Sequence, residues 1–236
     1  RFKGSVKIHI NGYNQLIPEL KERINSENLV ERLFKKDYTI WSDNPTELAN
    51  RLDWFDSPVY MAEHFEVIEK FALEIKEEGF KKVILLGMGG SSLAPEVFRK
   101  VFGIREGYPD LEIVDNTHPE FIQNLTDRIS IKETLFIVST KSGGTVETFS
   151  FMKFFYRLAV KELGEESVGR HFVAITDPNS GLEKVAKELK FRKIFLNNPN
   201  IGGRYSVLSM FGIVPAALLG IDIRILIQRA WKLREV

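Results

Sequence analysis

The 236-residue chain has no cysteine, which excludes disulfides, thiol catalysis and thiolate metal sites. It has no uninterrupted apolar run of the ~18 residues that a membrane span requires. The stretch from Val207 to Ile221 comes nearest, and Ser209, Gly212 and Gly220 break it. Charge of one sign is lacking too: 33 Lys and Arg face 32 Asp and Glu, a formal balance of +1. Such a chain projects no field for a polyanion, so nucleic acid is not expected as a partner and any anion site must come from local geometry. Only four histidines occur, no two at metal-ligand spacing, and no metal is expected. No signal-peptide pattern follows Arg1, and the cytoplasm is the expected compartment. The absent initiator Met, and an end at Trp231-Lys232-Leu233-Arg234 inside a helical pattern, point to a piece of a longer protein.

What is present is the composition of an ordinary globular protein, 44% apolar and 28% charged, in a chain long enough to bury a sizeable core. The first 58 residues carry amphipathic helical patterns. Leu16, Leu20 and Ile24 recur at spacing four, Leu29, Leu33 and Phe34 continue on a second segment, and Thr46 to Leu52 predicts a short third. From Pro58, a first-turn proline, a longer helix is expected to run to Gly79 with Ile68, Phe71, Ala72 and Ile75 on one face. The rhythm then changes. Val83–Leu86, Leu111–Val114, Leu135–Val138, Phe172–Ile175 and Ile194–Leu196 are short apolar runs separated by helix-length segments. Unbroken apolarity means burial on both faces, so these read as five parallel strands of a doubly wound α/β sheet. Among the intervening helices, one stripe is Val146, Phe149, Met152, Phe155 and Leu158, another Leu182, Val185, Ala186 and Leu189.

Three glycine and hydroxyl clusters each follow an apolar run: Gly87-Met88-Gly89-Gly90-Ser91-Ser92, Thr140-Lys141-Ser142-Gly143-Gly144-Thr145 and Gly202-Gly203-Arg204-Tyr205-Ser206. In doubly wound sheets, ligands bind beyond the carboxyl ends of the strands, where these clusters fall. Bare backbone at a strand end lets a ligand approach, and the following helix offers unpaired N–H groups. By itself the first cluster is open to three readings: a tight turn, a phosphate site, or a dinucleotide fingerprint one residue short, with Asp115 as the ribose acid. The second cluster supplies three hydroxyls and a cation, the donor set for a tetrahedral dianion, with charged hydrogen bonds worth roughly 1.5–3 kcal/mol each. A dinucleotide fold needs no such second loop, and no Walker A pattern occurs. Glu147 in the next helical turn is ambiguous, since the helix dipole alone accounts for a carboxylate there. Arg204 on its glycine turn could stabilise charge developing on an oxygen, or pair with a surface carboxylate. His9 and His64 read as helical-arm residues, His171 as a strand start and His118 as a helix start.

Together, Leu86 to Pro95, Ser139 to Thr148 and Ile201 to Ser206 resemble the signatures of the glucose-6-phosphate isomerase family, in the family's order. The resemblance extends from about Trp41 onward. The linking text, Trp54-Phe55-Asp56, Ala174 to Pro178 and Val214 to Ala217, is similar to bacterial members, including those fused to transaldolase. It implies a sugar-isomerase domain, an α/β/α sandwich over residues 59–236, preceded by a helical arm over 1–58, with a second such domain absent from this chain. Gly90 and Ser91 would belong to the first phosphate turn, and Thr140, Lys141, Ser142 and Thr145 to the loop that clamps the substrate phosphate. Gly203 and Arg204 match the catalytic glycine-arginine pair that helps stabilise an enediolate, and Glu147 a family acid near the site. Pro199 departs from the family, which usually has a polar residue there. The family's proton-abstracting glutamate, ring-opening histidine and a late lysine have no counterpart up to Val236. The resemblance further implies an isomerase of sugar phosphates working without a cofactor, a homodimer when complete, and a fragment inactive alone. Two rivals are a phosphosugar-sensing domain without chemistry and an NAD-dependent oxidoreductase.

Overall fold

The computed structural model describes residues 12, 13 and 16–234, so His9 and the rest of the first eleven residues lie outside the described residues. The chain divides into two compact units, one up to Ala49 and one from Asn50 onward. The first holds α1 (Leu16–Ser26), α2 (Leu29–Phe34) and a 3-10 turn at Tyr38–Ile40. The short helix expected over Thr46 to Leu52 does not form; residues 46–50 are turn. Turn chemistry overrides the apolar spacing there. The Asn44 side chain accepts from the Thr46 amide at 2.9 Å, both Leu48 and Ala49 amides donate to the Pro45 carbonyl, and Glu47 takes a left-handed φ of 60°.

The second unit opens with α3 (Ser57–Ala62) and α4 (Phe65–Glu77), then alternates β1 (Lys82–Gly87), α5 (Leu93–Phe102), β2 (Asp110–Val114), α6 (Pro119–Arg128) and β3 (Thr134–Ser139). It continues with α7 (Val146–Leu163), α8 (Glu165–Val168), β4 (Phe172–Thr176), α9 (Gly181–Glu188), β5 (Lys193–Leu196), α10 (Met210–Leu218) and α11 (Ile223–Arg234). The single helix predicted from Pro58 to Gly79 is two. At the break the His64 ring nitrogen Nδ1 donates to the Tyr60 carbonyl at 2.8 Å, while the His64 amide bonds Met61. The predicted face of α4 is buried as expected, Ile68 and Ile75 fully.

All five strands are parallel, in the order β2-β1-β3-β4-β5. Side chains alternate between two cores. Val83, Leu85, Ile137 and Ile175 point to a layer formed with α4 and α10; Ile84, Leu86, Val138 and Ala174 point to one formed with α7 and α9. Both faces are covered, which explains runs of apolar residues without polar alternation. The α7 stripe is rotated from the sequence reading: Val146 is 75% exposed, and the buried line is Thr148, Phe151, Met152, Phe155 and Ala159. At one edge of the sheet, β2, Lys82 and Arg99 form ion pairs with Asp110 at 2.8 and 2.9 Å. No described helix is long and apolar enough to cross a membrane.

Candidate functional site

In this strand order the chain leaves β1 toward one edge and returns to the other side as β3, so the switch point lies between β1 and β3. The register pairs Gly87 with Ser139, the last residue of each strand, so both glycine turns begin at one level. The Ser139 hydroxyl donates to the Ser91 carbonyl at 3.0 Å and ties them together. The third turn arrives from beyond β5 and packs backbone to backbone on the first. A β-carbon on Gly90 would lie 2.2 Å from the Gly203 carbonyl oxygen, a contact only glycine permits. The buried Ser206 hydroxyl lies 3.1 Å from the Gly90 carbonyl and 2.7 Å from that of Gly203, both acceptors.

The structure thereby brings Gly90, Ser91, Thr140, Lys141, Ser142, Thr145 and Gly203 onto one cleft of about 340 Å³. Arg51, Met88 and Asp177 complete its wall. The two remaining candidates, Arg204 and Glu147, are exposed and lie outside this lining, Arg204 one residue past Gly203 and Glu147 two past Thr145. Ser92 turns inward, donating to the Gly89 carbonyl at 3.1 Å. Asp115, one residue past β2 and level with Gly87 in the β1–β2 register, lines a separate cavity of about 460 Å³ and is not part of the cleft lining. His118 precedes α6 as its N-cap residue without a side-chain cap bond, and His171 sits before β4 with Nδ1 bonded to the Thr134 carbonyl.

Within the cleft, the second turn is held by its own hydroxyls and by its neighbours. Thr140 Oγ1 and Thr145 Oγ1 are 2.9 Å apart, and Thr145 makes no side-chain cap to α7, so the first-turn amides of that helix keep no hydroxyl cap of their own. Gly143 takes φ 64°, and a β-carbon there would meet the Ser180 side chain at 2.6 Å, so the loop is seated directly on the start of α9. One residue beyond β4, the Asp177 amide donates to the Lys141 carbonyl at 3.2 Å, which sets the two side chains side by side. Lys141 Nζ donates to Asp177 Oδ2 and, at 2.7 Å, to the Pro199 carbonyl. Burial pushes the Asp177 carboxyl above its usual range, against the pull of Lys141, Asn197 and Arg51. The cleft therefore presents hydroxyls, open helix amides and two cations around one carboxylate. That is equipment for binding a small anion, and the described residues hold no group of three or more His, Cys, Asp or Glu arranged for a metal ion. Sequence reasoning missed Arg51 and Asp177. Asp177 was within reach, standing one step past a predicted strand end; Arg51 precedes the sheet and carries no motif.

The phosphoglucose isomerase family model matches residues 66–228. A glucose-6-phosphate isomerase of Carboxydothermus hydrogenoformans is 35% identical across 98% of this chain and 51% of its own length. Among solved structures, a hypothetical protein of Thermus thermophilus aligns with a TM-score of 0.78 at 29% identity, covering 94% of this chain and 51% of that one. A glucose-6-phosphate isomerase of Chlamydia trachomatis aligns with a TM-score of 0.72 at 20% identity over 87% of this chain and 42% of that one, a likeness of fold. The chain spans about half the length, or less, of the first curated relatives it matches. With the family model covering the whole sheet and all three glycine turns, the chain belongs to the phosphoglucose isomerase family.

Proposed function

We propose that this chain supplies the phosphate-gripping half of an enzyme that interconverts glucose 6-phosphate and fructose 6-phosphate. The substrate phosphate sits in the cleft, taken by Ser91, Thr140, Ser142 and Thr145 with Lys141, and by the amides at the start of α7. That grip orients the sugar's reacting carbons at no cost to the chemical step. After ring opening, a carboxylate base removes the C2 proton of the aldose and returns it at C1, giving the ketose. Arg204, next to Gly203 at the mouth of the cleft, stabilises the negative oxygen of the intervening enediolate. Glu147 lies near the reacting end. The base and the ring-opening acid come from the part of the enzyme that this chain does not span, and the working enzyme is a homodimer of cytoplasmic carbohydrate metabolism.

The observation that carries this reading is the meeting of three turns, more than a hundred residues apart at the extremes, on one cleft at the switch point. A coupled assay with fructose 6-phosphate, run beside calorimetric titration with phosphate, tests it. The chain alone is expected to bind phosphate weakly and to turn nothing over. Isomerisation by the chain alone refutes the division of labour, and failure to bind phosphate refutes the role of the cleft.

A further inference from the structure

We propose that Arg51 is a second phosphate-binding cation of the cleft, seated by the third glycine turn and balanced against Asp177; the proposal deepens, and rests on, the phosphosugar reading. Arg51 belongs to none of the glycine motifs and lies more than thirty residues before the first of them. It reaches the cleft through backbone pairing. The Gly202 amide donates to the Arg51 carbonyl at 3.2 Å, Leu52 bridges antiparallel to Ile201, and the Asp53 amide donates to the Asn200 carbonyl at 3.1 Å. Leu52 and Ile201 are both buried, so this strap is anchored by packing as well as by hydrogen bonds. Asn198 Nδ2 adds a bond to Asp53 at 3.0 Å. A β-carbon on Gly202 would touch Cβ of Arg51 at 3.5 Å, so the turn fits closely against this residue. The third turn thus has a task besides carrying Arg204: it presents Arg51 to the same cleft.

Charge decides what that presentation does. The lining holds two cations, Arg51 and Lys141, and one anion, Asp177, a sum of +1. Lys141 is held by Asp177 and by the Pro199 carbonyl, and an arriving dianion must share its ammonium with that carboxylate. Removing Arg51 takes the sum to zero. A sugar phosphate carries close to two negative charges at pH 7, and the planar guanidinium fork suits its oxygens. Asp177 opposes the dianion by like charge while it holds Lys141 in place, so it sets how much cationic pull the cleft exerts.

The test is calorimetric titration of the chain with inorganic phosphate, using wild type, Arg51→Gln, Asp177→Asn and the double variant, each checked for folding by circular dichroism. Arg51→Gln is expected to weaken binding by about tenfold, the low end for losing a charged hydrogen bond. Asp177→Asn is expected to tighten binding, and the double variant, whose lining again sums to +1, to return toward wild type. Arg51→Lys, which keeps charge but loses the fork, should fall between wild type and Arg51→Gln. If Arg51→Gln binds like wild type, or if Asp177→Asn restores nothing in the Arg51→Gln background, the proposal is overturned. Wild type that binds no phosphate at all sinks the phosphosugar reading itself, a result distinct from an unaltered Arg51→Gln.

Discussion

Gly90 and Gly203 meet in one contact, yet the two sides of it should respond very differently to a methyl group. A β-carbon at Gly90 falls 2.2 Å from the Gly203 carbonyl oxygen and 2.7 Å from its carbon, whereas one at Gly203 has no heavy atom within 4 Å. Relieving the first clash to 3.0 Å, the least that real contacts show, means parting the two backbones by about 0.8 Å. Neither backbone yields easily. Ser206, 3% exposed, hydrogen-bonds the carbonyls of both Gly90 and Gly203, and the next carbonyl, of Ser91, is tied to Ser139 at the end of β3. Gly90→Ala should therefore cost about 2 kcal/mol, within the range for overpacking a tight site. For a unit of this size that lowers the melting temperature by about 4–8 °C.

Gly203→Ala should melt within about 2 °C of wild type, because open space receives the methyl and the residue's φ is not left-handed. The functional readout should split the same way. Displacing the first turn by most of an ångström moves Ser91 relative to Thr140 and Lys141, and misplacements of that order lower binding and catalysis by large factors. Scanning calorimetry of both variants, with phosphate titration, measures both effects. If the two variants melt alike, or Gly203→Ala is the more damaged, the backbone-on-backbone account of the first and third turns is wrong.

Two other perturbations test the fold. Phe155, fully buried and stacked on Phe136 at 5.2 Å, fills the core between α7 and the sheet; Phe155→Ala should cost about 3–5 kcal/mol, read as a fall in the urea midpoint, and a loss below 1 kcal/mol would contradict that packing. In the first unit the Thr39 hydroxyl and then the Arg32 guanidinium hold the Asp37 carboxyl at about 2. Its folded value lies below the unfolded one, so its contribution is present above pH ~4 and lost as pH falls toward 2. A carboxyl carbon titration by NMR should give a midpoint near 2; one near 4 would mean that these contacts do not persist in solution.

The sheet was legible because its signal is local. A strand buried on both faces needs apolar side chains at nearly every position, and the runs of β1, β3 and β4 declared themselves without knowledge of their neighbours, while the edge strands β2, which carries Glu112, and β5 are only partly buried. The first two turns were legible for a related reason: each sits on the end of its own strand, and topology then brings both to the switch point. Helix faces were less secure. On α7 almost any rotation offers large apolar residues, Phe149, Phe151, Phe154 and Phe155 among them, so spacing chose Val146 where packing chose Thr148. After Pro58 the helical pattern runs through the break at Glu63–His64, where the His64 ring bonds the Tyr60 carbonyl and its amide the Met61 carbonyl, and period alone carries no trace of that.

The cleft itself divides along the same line. Its hydroxyls and its lysine are written in two six-residue stretches, but its charge balance is not. Asp177 enters because the β3–β4 register, Ser139 opposite Ile175, carries on to set Asp177 beside Lys141, and Arg51 because a buried Leu52–Ile201 bridge joins segments about 150 residues apart. A motif can therefore announce that an anion is gripped while leaving open how strongly, since the strength depends on groups that only the folded chain assembles. In this cleft Asp177 alone would cancel the charge of Lys141, and Arg51 returns the lining to a formal +1, an opposition that no reading of the three glycine turns alone would register.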